Sequence, residues 1–224
     1  MHPLSGVLDE TWQMYRAHAR HLLIISFAFY LVTAVVVGLL DLLGFFGALL
    51  AAIINLFAMF LLQATLIKAV QDVRDGRVDL SVEETVQAAV PYIGPVALAS
   101  ILAGIAILVG ILALIIPGLI LVTIWAVIVP VIVLEGATWS RSFGRSQDLV
   151  RGHGWQVFGT LVMVFLIMVV VNILLSVVIF AWLPIFARNL LGTVISGTLI
   201  APFLALVVTL IYYRLSRPGA EAQA

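Results

Sequence analysis

The sequence predicts an all-α, polytopic membrane protein: six transmembrane helices, arranged in pairs, with a short amphipathic interfacial helix ahead of each pair. Three observations carry this. The 224 residues are 64% apolar and only 10% charged, with a mean hydropathy of +1.25, far too little charge to cover a soluble domain of this size. Six apolar runs have no charged residue in their interiors. Reading those runs as spans collects almost every Lys and Arg on one side.

A helix rises about 1.5 Å per residue, so roughly 20 apolar residues cross about 30 Å of hydrocarbon. The spans read as Leu22–Leu40, Leu42–Ile67, Tyr92–Ile116, Gly118–Leu134, Trp155–Leu183 and Asn189–Tyr213. The chain starts cationic and then turns apolar, as a signal peptide does. Its first run is nevertheless of spanning length, and no small-x-small cleavage site follows it, so it reads as an uncleaved first span. The third and fourth spans form one long apolar stretch, divided at Pro117-Gly118 because proline cannot continue the helical ladder. Pro130 predicts a kink in the short fourth span. Residues 1–218 read as a single membrane domain and 219–224 as a short disordered tail.

Ahead of the odd-numbered spans lie three amphipathic stretches, called elbows below. In the first, Leu8, Trp12, Tyr15 and Ala19 form a stripe; in the second, Val82, Val86 and Ala89; in the third, Trp139, Phe143 and Val150. Ser81 followed by Glu84 is a capping-box start. Such helices are expected to lie in the headgroup plane with the apolar face down. The order elbow, span, span occurs three times, which predicts a threefold parallel repeat in topology.

Arg16, Arg20, Lys68, Arg74, Arg77, Arg141, Arg145, Arg151, Arg214 and Arg217 fall on the elbow side, and only Arg188 on the other. The positive-inside rule therefore places both termini in the cytoplasm. Trp155, Trp182, Tyr212 and Tyr213 stand where interfacial aromatic anchors belong.

Membrane helices associate through small residues rather than hydrophobic drive. Ala99, Ala103, Ala106, Gly110 and Ala113 make such a seam on the third span, Gly44, Ala48, Ala51, Asn55 and Ala58 on the second, and Thr193, Gly197, Ala201 and Ala205 on the sixth. These seams predict spans two, three and six at the centre, with span five facing lipid.

The sequence offers little chemistry. It has no cysteine, which excludes disulfides, thiolate metal sites and thiol nucleophiles. No phosphate loop, nucleophile elbow or metal-ligand spacing is present. Catalytic residues, cofactors, metals and nucleic-acid partners are accordingly not expected. Asn55, Gln63 and Asn172 are the strongest polar groups at depth, and are expected to hydrogen-bond between helices. The remaining candidate is a rim of Glu135, Arg141, Arg145, Arg151 and His153. Arginines there suit a phosphate or anionic lipid headgroup, although the positive-inside rule explains the same arginines by topology alone.

The stretch Val133-Leu134-Glu135-Gly136, Ser142-Phe143-Gly144-Arg145-Ser146 and Leu149-Val150-Arg151-Gly152, with Pro117-Gly118, Trp125, Pro130 and Trp155, resembles the membrane domain attached to some bacterial glycerophosphoryl diester phosphodiesterases, and the stand-alone membrane proteins that share it. Leu8-Asp9-Glu10-Thr11-Trp12 and Tyr15-Arg16 extend the likeness to the first elbow. The resemblance implies a protein of the bacterial cytoplasmic membrane. In the two-part proteins hydrolysis belongs to a separate soluble barrel with a metal and acidic ligands, so no phosphodiesterase activity and no catalytic residue carries over. The expected function is a non-enzymatic scaffold or lipid-interacting accessory, whose partners are membrane lipids, anionic ones included, or another membrane protein. A transporter or lipid translocator without ion coupling is the alternative.

Overall fold

The computed structural model describes residues 4–74, 81–178 and 185–216, without the side chains of 41, 178 and 185–190. Arg77, Trp182, Arg217, the stretch 179–184 and the tail 219–224 lie outside the described residues, as do the side chains of Asp41 and Arg188.

The described residues form ten α-helices and no strand: α1 (Val7–Ala17), α2 (Ala19–Asp41), α3 (Phe45–Arg74), α4 (Val82–Ala89), α5 (Ile93–Ala113), α6 (Ile115–Ile124), α7 (Ile128–Glu135), α8 (Trp139–Val150), α9 (Gly154–Val178) and α10 (Ile185–Ser216). Six stretches are long and apolar enough to cross a membrane, with α6 and α7 together making the fourth. The chain is a multi-pass membrane protein, and the elbow-span-span order recurs as α1–α2–α3, α4–α5–α6/α7 and α8–α9–α10.

Two expected breaks move. The third and fourth spans part at Leu114, whose backbone is extended (φ −161°, ψ 130°), and not at Pro117-Gly118. The fourth span breaks at 125–127, upstream of Pro130. The reason is shared. Pro117 and Pro130 each occupy the third position of a helix, where an N–H has no intrahelical acceptor to lose. The disruption falls on the carbonyls behind each proline, so the chain bends before it rather than at it. Pro202, by contrast, lies inside α10, where it leaves the carbonyl of Thr198 without its usual donor.

Glycine makes the hairpin between α5 and α6 close. A β-carbon on Gly110 would stand 3.0 Å from the Gly118 nitrogen, and one on Gly118 only 2.7 Å from the Ile111 nitrogen. The rest of that seam is uneven. Ala99 and Ala103 are buried, whereas Ala113 is exposed. On α3, Ala51 is buried but Ala48 and Asn55 face outward.

The expected order of burial is therefore corrected. The sixth span is central, with 50% of its most apolar window buried, but the fourth follows at 39%, while the second and third reach only 22%. The core lies toward the elbow side, where α3 is buried from Phe60 to Val73. At the opposite ends the hairpins α2–α3 and α5–α6 leave Phe45, Phe46, Leu112 and Ile116 exposed. The fifth span, α9, is the most peripheral, only 6% buried.

The elbows bury only part of their expected stripes, Ala89 on α4 and Val150 on α8, and complete the buried face with other residues. α1 buries Val7 and Thr11, α4 buries Thr85 and Ala89, and α8 buries Ser142, Ser146, Leu149 and Val150. Each buried hydroxyl is satisfied: Thr11 donates to the Val7 carbonyl at 2.7 Å, Thr85 to Ser81 at 2.8 Å, Ser142 to Trp139 at 2.7 Å. Ser146 reaches across to the Ile124 carbonyl at 2.8 Å. With their polarity cancelled, these small side chains let an elbow approach a span closely. Trp12 and Trp139 of the expected stripes are instead exposed, as membrane-interface aromatics are. The second elbow starts with its capping box formed between Ser81 and Glu84.

Candidate functional site

The first and third elbows are held by a polar rim. Gly136, in the left-handed conformation (φ 67°), ends α7 and turns the chain back, a geometry glycine adopts at little cost. α8 can then lie along α7. Arg145 Nε donates to both Glu135 oxygens at 3.0 and 3.1 Å, and the Tyr212 hydroxyl donates to Glu135 Oε1 at 3.1 Å. This one carboxylate thus joins α7, α8 and α10. Arg74 stacks on the Tyr213 ring, 3.6 Å from its centroid, bringing in α3. Arg214 donates to the Glu10 carboxylate and the Ser5 carbonyl, bringing in α1. Further along α1, Tyr15 donates to the Leu199 carbonyl at 3.1 Å, and burial holds its phenol above the ordinary value.

Of the expected rim residues, the structure brings together Glu135 and Arg145. Arg141 and Arg151 are exposed and form no ion pair among the described residues. His153 does not join them. It lies at the start of α9 and lines a different crevice, of about 690 Å³, with Ile120, Thr123 and Trp155 between α6 and α9. No group of three potential metal ligands occurs among the described residues.

Beneath the rim the bundle forms a half-open cavity of about 460 Å³. α3 contributes Met59, Leu62, Gln63, Leu66 and Ile67; the α6–α7 break and α7 contribute Ala126, Val129 and Pro130. Tyr30 of α2 and Met168 of α9 complete three sides. The fourth wall is α10, which presents Ser196, Gly197, Ile200, Ala201, Leu204, Ala205 and Val208. Small residues on α10 therefore make room as well as contact, since Gly197, Ala201 and Ala205 all line the space. Its size falls within the roughly 300–1,000 Å³ typical of small-molecule sites.

The cavity adjoins the lipid-facing surface. A second crevice, about 380 Å³ and almost wholly apolar, runs between α1, α9 and α10, lined by Trp12, Tyr15, Val171 and Phe203 among others. Met168 of α9 and Ile200 of α10 line both spaces, and thus border the cavity and the outer crevice alike.

Among the described residues the three deep amides do not bond between helices. Asn172 donates back to Met168 of its own helix at 2.9 Å. Asn55 lies in a shallow outward hollow with Ala48, Ala51 and Ala52. Gln63 lines the cavity. The cavity itself was not legible as a motif, because its walls come from five helices; the one local signal was a glutamine at mid-span. No family model, no curated protein and no solved structure matches the chain.

Proposed function

We propose that this protein is a non-enzymatic lipid-binding accessory of the bacterial cytoplasmic membrane, with both termini in the cytoplasm. The observation that carries the reading is the apolar cavity of about 460 Å³, which shares Met168 and Ile200 with a crevice on the outer surface. A hydrocarbon chain entering sideways between α9 and α10 exchanges one apolar surrounding for another, so entry costs little desolvation. Among the described residues no Asp, Glu, Lys, Arg or His lines the cavity, which favours binding of lipid over ion-coupled transport. Exposed Arg141 and Arg151 would add attraction for anionic lipid at the surface. The resemblance to the phosphodiesterase membrane domain fits a lipid-facing accessory and supplies no catalytic residue.

The test is lipid retention. The parent and an Ala201→Trp variant, which fills the cavity, are purified gently, and bound lipid is quantified by mass spectrometry. The parent is expected to retain lipid that the variant loses at unchanged helical content. Equal lipid in both would end the cavity reading.

A further inference from the structure

The cavity is not uniformly apolar. Gln63, Tyr30 and Ser196 line it from three different helices, and none has a hydrogen-bond partner among the described residues. Other hydroxyls in the bundle differ: Ser26, Thr65 and Thr123 each donate to a carbonyl one turn back, at 3.1, 2.7 and 2.8 Å, whereas Thr198 and Thr209 of α10 are buried without a partner among the described residues and do not line the cavity. Polar groups in a hydrocarbon surrounding are expensive to leave unpaired. Three that converge on one apolar space are the arrangement of a ligand site, in which a few polar groups fix the orientation of a mainly apolar molecule.

Depth restricts the ligand further. Gln63 precedes Arg74, at the rim end of α3, by roughly 16 Å of helix, and Tyr30 lies a similar distance into α2. That is near the middle of a hydrocarbon core about 30 Å thick. A phospholipid keeps its charged headgroup at the surface, and among the described residues no charged side chain lines the cavity to compensate a phosphate drawn inward. An uncharged lipid has no such restriction, and its hydroxyl or carbonyl can descend to mid-depth.

We infer that the cavity binds an uncharged lipid bearing a hydroxyl or ester carbonyl, of the diacylglycerol class, with its polar group hydrogen-bonded to Gln63 and assisted by Tyr30 and Ser196. Gln63 offers both a donor and an acceptor, and so serves either group. This inference rests on the lipid-binding reading above, and goes further by naming the lipid class and the residues that select it.

The experiment uses the full chain in nanodiscs with two photoactivatable probes that have identical acyl chains: a diacylglycerol and a phosphatidylglycerol. Cross-linked peptides are mapped by mass spectrometry. The diacylglycerol is expected to label cavity-lining segments of α3 and α10, and unlabelled dioleoylglycerol to compete. Gln63→Leu, close in volume but without the amide, should lower that labelling roughly three- to tenfold, as loss of one hydrogen bond in an apolar site does. Should Gln63→Leu fail to accumulate, Tyr30→Phe removes a single hydroxyl and should give a smaller loss in the same direction. Equal labelling by both probes in the parent, or unchanged diacylglycerol labelling in the variant that folds, would overturn the inference and leave lipid binding standing. No labelling of the cavity by either probe would overturn both.

Discussion

The ring of Tyr30 occupies the place that a β-carbon on Gly197 would take, with Cε1 at 2.5 Å and Cε2 at 2.7 Å from that position. The glycine lets α2 lie directly against α10, and the same ring forms part of the cavity wall. One residue therefore sets both helix packing and the shape of the interior.

Gly197→Leu should displace Tyr30 and destabilise the bundle by about 1–3 kcal/mol, the usual range for overpacking. Thermal unfolding in detergent is the measurement. A melting temperature equal to the parent's would show that the ring moves aside freely.

In the α5–α6 hairpin the two glycines should differ in severity. Gly118→Ala meets the backbone and side chain of Ile111, whereas Gly110→Ala meets the Gly118 backbone at 3.0–3.1 Å. Gly118→Ala is expected to lower thermal stability more than Gly110→Ala, and Gly110→Leu to lower it more than Gly110→Ala. Three equal melting temperatures would mean that the hairpin opens without cost.

At the rim, Arg145→Ala should change stability by no more than about 1 kcal/mol, because its side chain is 45% exposed and exposed ion pairs contribute little. Glu135→Ala should cost more, since it removes the acceptor of both Arg145 and Tyr212. Arg145→Ala combined with Tyr212→Phe separates the terms: near-additive losses would show that Tyr212 and Arg145 use the carboxylate independently. Binding to anionic vesicles should fall on replacing Arg141 and Arg151 together, and should weaken further as salt rises.

Orientation can be read directly, because the chain has no cysteine to remove. Single replacements Ser140→Cys and Leu43→Cys should be labelled from opposite sides of the membrane by an impermeant maleimide, with Ser140→Cys on the cytoplasmic side. Labelling of both from one side would invalidate the six-span topology.

Much of the architecture was legible because it follows from one-dimensional properties. Apolar length gave the six spans, and Ser81 with Glu84 gave the start of α4. What was misplaced depended on context. Pro117 marks a region of broken helix, but a proline is tolerated in the first turn, so the break precedes it at Leu114. The elbow stripes led to Trp12 and Trp139, whereas the buried faces combine Ala89 and Val150 of those stripes with Thr11, Thr85, Ser142 and Ser146. A hydroxyl scores as polar until its bond to a nearby carbonyl is known. Gln63 stood out as a deep amide, but whether it meets a helix or an empty space depends on where five helices stop short of one another.

α9 has a further consequence for this protein. Its 25 residues make a rod of roughly 37 Å, longer than a hydrocarbon core of about 30 Å. With only 6% of its most apolar window buried, it has few neighbouring contacts to fix its tilt. A thinner membrane tilts it further and a thicker one stands it upright, and Met168, which it carries, moves with it. On the proposed lipid-binding reading, bilayer thickness is therefore expected to act on the side entrance of the cavity, a mechanical input supplied by the host membrane rather than by any ligand.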